Sequence, residues 1–180
     1  LCLIQVASSS ESQAIDALSE NIDLQPLLDL MGDERIVKVF HAARQDLEIF
    51  YLLMGTIPKP IFDTQIAAMV CGFGDSVSYE LLVSQLEHKT LDKGSRYTDW
   101  ARRPLSRRQL DYALADVIYL IPIYSKLIKQ LEISRRASWL TEEMAILQTP
   151  LTYEPNPYEA YQKIKSRNAD RKTMAILREL

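Results

Sequence analysis

Short runs of β-branched and aromatic residues alternate along the chain with longer stretches whose apolar positions recur every three or four residues, the mixture expected of strands and helices packed in layers. Residues 1–6 predict a strand, 8–13 a polar turn and 14–18 a short second strand. Helical spacing runs over 23–31 and is closed by Gly32. Residues 36–41 read as a buried strand, followed by a helix over 44–54 that ends at Gly55 ahead of Pro58. Asp63 and Ser78 stand where N-caps belong, opening helices that end at Gly72 and near His88. Ser106 is placed to cap a long helix through Tyr119, which Pro122 would kink or break before 126–131. A further helix covers 134–148, and the proline-rich polar stretch 149–157 predicts a linker. Beyond it, 158–180 is helical and basic, with Lys163, Lys165, Arg167, Arg171, Lys172 and Arg178.

A chain of 180 residues that is 47% hydrophobic can bury one core and begin a second domain. No apolar run approaches the roughly 18 residues of a membrane span, and a cytoplasmic globular protein is expected. Cys2 and Cys71 lie in apolar contexts and read as small buried hydrophobes, too few for a disulfide framework or a zinc site. With His41 and His88 as the only histidines, metal ligands would have to be carboxylates, whose oxygens favour Mg²⁺ or Mn²⁺.

The net charge of −3 does not by itself suggest a nucleic-acid binder, but its distribution does. Between positions 93 and 108, Lys93, Arg96, Arg102, Arg103, Arg107 and Arg108 face only Asp99, with Tyr97 and Trp100 interleaved. Cations for phosphates beside aromatics for bases is a single-strand-binding composition. A solvated basic loop with Trp100 folded into the core would give the same letters. Lys93, Arg96, Trp100, Arg102 and Arg103, with His41 upstream, are the candidate nucleic-acid contacts.

Two motifs carry the chemistry. Tyr112 and Asp116 are four positions apart in a helical run, which stacks a phenol and a carboxylate on one face. An ordinary amphipathic helix can carry such a pair too. Asp46 lies in the first turns of a helix that follows a strand, where open α/β sheets place their ligand crevices. A carboxylate there also complements the helix dipole. Asp46 and Glu48 cannot share a metal as a strand pair could, because on a helix they diverge by about 200°. Glu48 is expected in solvent.

Together these strings resemble the DEDD-type 3′→5′ exonucleases of the tyrosine-containing subclass, ribonuclease D among them. The resemblance runs from Val39-Phe40-His41-Ala42-Ala43-Arg44-Gln45-Asp46-Leu47-Glu48-Ile49-Phe50 through Asp63-Thr64-Gln65, Leu91-Asp92-Lys93, Thr98-Asp99-Trp100 and Arg103-Pro104-Leu105-Ser106. It ends on Gln109-Leu110-Asp111-Tyr112-Ala113-Leu114-Ala115-Asp116-Val117. It implies an α/β fold: a ribonuclease H-like mixed sheet flanked by helices over 1–148, the linker 149–157, and the start of a helical HRDC domain over 158–180. It implies a 3′→5′ exoribonuclease that acts on the 3′ ends of transfer-RNA precursors and other small structured RNAs. Four carboxylates would bind two divalent metals, with Asp46 and Asp116 as two of them and Tyr112 orienting the attacking water. The family's first Asp-x-Glu would lie upstream of 3–6, so the chain is expected to be a fragment whose sheet has two unpaired edges. The alternatives are a non-catalytic RNA-binding fragment and a DNA 3′→5′ exonuclease of the helicase-linked type.

Overall fold

The computed structural model describes residues 1–92 and 94–154. Lys93, the end of the expected linker and the basic helix over 158–180 lie outside the described residues. Four strands and seven α-helices follow one another as β1 (Ile4–Ala7), β2 (Ser12–Ile15), α1 (Gln25–Gly32), β3 (Lys38–Phe40), α2 (Arg44–Met54), β4 (Ile61–Asp63), α3 (Thr64–Val70), α4 (Tyr79–Glu87), α5 (Arg107–Ala115), α6 (Leu120–Ser134) and α7 (Ala137–Leu147).

β1 and β2 form an antiparallel hairpin in which Ile4 faces Ile15 and Ala7 faces Ser12. Its turn is closed by Ser8, whose hydroxyl accepts from the Ser10 and Glu11 amides. β3 and β4 pair in parallel, Lys38 with Ile61 and Phe40 with Asp63, with α2 as the crossover. Among the described residues neither sheet takes a third strand. The strand expected over 36–41 is shorter than its apolar run, because Ile36 and Val37 are not packed inward and are each 42% exposed.

The main core is helical. Phe62 of β4 lies beneath α3, α4, α6 and α7, whose Ala67, Leu82, Val83, Ile123 and Leu127 are sealed from solvent. Tyr124 meets the Phe62 ring edge-on at 4.7 Å. Ile4, Leu27, Met31 and Phe50 join the hairpin to α1 and α2 in a smaller cluster. The start of the expected linker docks on the domain: Tyr153 is 7% exposed and its hydroxyl donates to Leu147 O at 2.7 Å.

The helix expected from Ser106 through Tyr119 ends earlier, at Ala115, and α6 begins at Leu120. Pro122 is the third residue of α6, where its missing N–H leaves no bond unmade. A helix continuous through this region would press the proline ring on the carbonyl of Ile118, so the break falls ahead of the proline. Ser106 accepts from the Gln109 amide, and Gln109 returns the bond to the Ser106 N–H, a full capping box. The left-handed Arg135, with φ of 57°, ends α6 and moves the start of α7 to Ala137. Cys2 and Cys71 are free thiols and half-buried, short of the full burial expected.

Asp63 is the N-cap of α3, as its position predicts, and it reaches further than its own helix. Its carboxylate, 2% exposed, accepts from the Gln65 and Ile66 amides of α3 and also from Ala42 N at 3.1 Å and Ala43 N at 2.7 Å. These last two belong to the β3–α2 connection, where Ala42 is left-handed at φ 55°. Asp63→Ala is expected to destabilise the chain by about 3–5 kcal/mol, since it leaves four backbone donors, the Ala43 amide fully buried, without their acceptor. Urea unfolding followed by circular dichroism measures this, and a loss below about 1 kcal/mol would show that the two helix starts hold without the carboxylate.

Candidate active site

A groove of about 850 Å³ lies between the two small sheets, lined by Leu3 to Ala7 on one side and Val37 to His41 on the other. Leu27, Met31 and Phe50 give it an apolar floor, while Asp46, Tyr79 and Asp116 bring polar groups into it. Asp46 comes from the first turn of α2 just past the C-terminal end of β3, and Asp116 caps the C-terminus of α5. Two carboxylates far apart in sequence therefore share one groove.

Both keep a face open to solvent, yet the protein around them makes ionisation harder than in water. Burial raises the Asp46 carboxyl, and the nearby charge of Asp63 adds to it. Burial, followed by the charge of Glu80, pushes Asp116 up to about 6. Among the described residues no base pairs with either acid. Like-charged neighbours and no cation describe a place where positive charge is favoured.

Tyr112 sits one turn before Asp116 on α5, and its ring lies 5.9 Å from that of Trp100 at 42°. Tyr112 is not among the residues lining the groove, so the structure joins Asp46 to Asp116 and sets Tyr112 beside them on the Trp100 side of α5. Glu48 is in solvent as expected.

The expected nucleic-acid contacts divide. Arg96 is exposed and lies over the Tyr97 ring at 5.5 Å, Tyr97 itself being 90% exposed. Arg102 is exposed as well, and Lys93 lies outside the described residues. His41, by contrast, is turned inward. Its Nδ1 is 2.9 Å from the Thr64 hydroxyl, which donates to Phe40 O, so the imidazole is the donor to Thr64. Its ring lies 5.5 Å from that of Tyr79, and burial lowers its pKa. Arg103 is turned inward too, with its guanidinium bonded to Asp16 and to three backbone carbonyls. The stretch that faces only Asp99 in sequence is answered in space by acids outside it: Asp16 for Arg103, Asp111 for Arg107 and Asp92 for Arg108.

Several residues that shape the groove carry no signal in their local sequence. Tyr79, the first residue of α4, donates to Ala115 O at 3.2 Å and so ties α4 to the turn that holds Asp116. Glu80 acts on Asp116 through space. Lys38 on β3 is 4% exposed, and its ammonium donates to Asp33 O at 2.9 Å and to Lys59 O. A lysine in a β-branched run reads as a surface break, and only the two carbonyls opposite it make burial tolerable.

Comparison with known proteins gives the groove a context. Ribonuclease D of Bartonella henselae is 51% identical over 180 residues, covering 100% of this chain and 44% of its own. The chain spans about half the length of the curated relatives it matches. The crystal structure of Escherichia coli RNase D, described as an exoribonuclease involved in structured RNA processing, superposes with a TM-score of 0.82. It is 37% identical and covers 90% of this chain and 43% of that chain. Brucella melitensis NrnC with bound Mg²⁺ superposes with a TM-score of 0.75 at 26% identity, over 91% of this chain and 79% of that one. The α/β exonuclease fold, ribonuclease H-like with antiparallel and parallel strand pairs and flanking helices, is therefore the fold of this chain, its described strands forming two small sheets. The family model described as 3′-5′ exonuclease matches residues 1–132, and with it the elements that bring Asp46 and Asp116 to one groove; this chain belongs to the 3′-5′ exonuclease family.

Proposed function

We propose that the protein carrying this chain is a 3′→5′ exoribonuclease of the ribonuclease D type, which releases nucleoside 5′-monophosphates from the 3′ ends of transfer-RNA precursors and other small structured RNAs. The observation that carries this reading is the pair Asp46 and Asp116, brought from separate elements to one groove with no base against either among the described residues. The relatives are named for this activity, and one structural neighbour holds Mg²⁺.

The donor set fits a divalent metal in kind. Both groups are hard oxygen donors, and a nearby dication reverses the effect that raises their pKa values. Asp46 and Asp116 would hold Mg²⁺ or Mn²⁺, two ions in the complete enzyme. A metal bound there would lower the pKa of a water and neutralise charge on the phosphodiester. The chain's own residues do the rest. Tyr112, held by α5 beside Asp116, offers a phenol that accepts or donates one bond to an attacking water. Exposed Arg96 and Arg102, with Tyr97 and Trp100 nearby, are suited to the phosphates and bases of a single strand.

A second reading has an observation of its own. Among the described residues no three ligating side chains come together, which favours a protein that binds RNA without cutting it. The basic face would then give affinity that falls steeply with salt.

Digestion of 3′-labelled RNA by the full-length protein, with Mn²⁺ and an EDTA control, separates the two readings, and a DNA strand in the same assay tests substrate preference. Asp116→Asn is expected to lower turnover by about a thousandfold or more, since it removes a charged ligand. Normal turnover by this variant would end the assignment. Tyr112→Phe is expected to lower kcat about 10–100-fold while RNA affinity stays within about twofold, as for a group that acts on the water. A rise in KM with kcat unchanged would instead make Tyr112 a binding residue.

A further inference from the structure

Arg103 has no place in this chemistry, yet it is the most fully bonded cation among the described residues. Its Nε donates to Asp16 Oδ2 at 2.6 Å and its Nη2 to Asp16 Oδ1 at 2.5 Å, a bidentate pair across 87 positions. Nη2 also donates to Cys2 O at 2.9 Å, and Nη1 to Trp100 O at 2.8 Å and Arg102 O at 3.0 Å. Asp16 directly follows β2, so the arginine fastens the Trp100 segment to the hairpin. Every nitrogen of the guanidinium is engaged, which leaves no fork for a phosphate.

The same segment is held at its other side by α5. Gln109 Nε2 donates to Thr98 Oγ1 at 3.2 Å and to Asp99 O at 3.3 Å, while its Oε1 completes the capping box at Ser106. Asp99 closes the turn between the two anchors by accepting from Ala101 N at 3.0 Å. Trp100 lies between them, half-buried against Tyr112. The segment touches Tyr112 through an aromatic face, and its backbone at Trp100 is bonded to Arg103 itself.

Resting on the exonuclease reading above, we propose that Arg103 and Asp16 are positioning residues: their ion pair seats Trp100 on the Tyr112 ring and thereby sets where the Tyr112 hydroxyl points. The Asp16 carboxylate is the only non-local acid that Arg103 meets among the described residues, so the hairpin acts as the fixed post of this arrangement. A lysine at 103 would keep the charge but could neither grip the carboxylate with two parallel bonds nor reach three carbonyls at once. The pair would therefore act on the catalytic step and much less on RNA affinity.

The test uses the full-length protein in a Trp139→Phe background, which silences a tryptophan 57% exposed on α7, far in sequence from the site, and Trp100 emission is read as the signal that Trp100→Ala removes. Arg103→Lys and Asp16→Ala are expected to red-shift Trp100 emission and to lower kcat about tenfold, with KM within about twofold. In a Trp100→Ala background, Arg103→Lys should add almost no further loss, because the coupling runs through the indole. Unchanged emission, unchanged kcat, or a full additional loss without Trp100 would each overturn the proposal. If the parent protein digests no RNA, the exonuclease reading falls, and the proposal that these residues serve catalysis falls with it. The emission shift would then report only whether the pair seats Trp100.

Discussion

The Asp63 carboxylate is the interaction on which the rest of the architecture depends. One buried charge takes four backbone N–H groups from two different places, the start of α3 and the connection between β3 and α2. The Ala43 amide would otherwise be a buried group without a partner, and together the four donors satisfy a charge that could not be tolerated alone. Ala42 adopts a left-handed backbone to aim two successive amides at it, a conformation that disfavours any residue with a Cβ. The direction of α2, and hence of Asp46 on its first turn, follows from this clamp. The negative charge that fixes the helix start is also one of the two causes that raise the Asp46 pKa.

Much of this was legible in the residues. Asp63, Ser78 and Ser106 announce their helices because capping is a local act between a side chain and amides two or three positions on. Asp46 and Asp116 could be singled out because a resemblance orders them, and the structure adds that they share a groove. What could not be read is non-local. Nothing near Asp16 predicts a partner at Arg103, and the inward turn of His41 depends on Thr64 and Tyr79, which belong to later helices. The basic stretch looked unanswered in sequence because its acids lie in other elements or outside its window. The burial of Lys38 is unmarked for a similar reason, since its partners are carbonyls, which every residue has and no sequence pattern marks. The break between α5 and α6 was foreseen in cause but not in place, because proline forbids the turn before itself more strongly than the one it opens.

The site's two walls differ in how they are made. The side bearing Asp46 rests on β3, β4 and α2, which neighbour one another in sequence and are clamped by Asp63. The side bearing Asp116 and Tyr112 is α5, which packs on β1 and β2 and takes its orientation from the hairpin, from Tyr79 and from the segment around Trp100.

That difference has an entropic side. The wall that bears Asp46 is closed by the pairing of β3 with β4, within residues 38–63, whereas the Arg103–Asp16 pair closes a loop of 87 positions. Closing a loop of that length costs about 4 kcal/mol from chain length alone. A part-exposed ion pair does not offset this by itself, so the packing of Ile4 on Leu27, Met31 and Phe50 shares in holding the hairpin. The groove is thus bounded on one side by elements adjacent in sequence and on the other by a seam that joins distant parts of the chain.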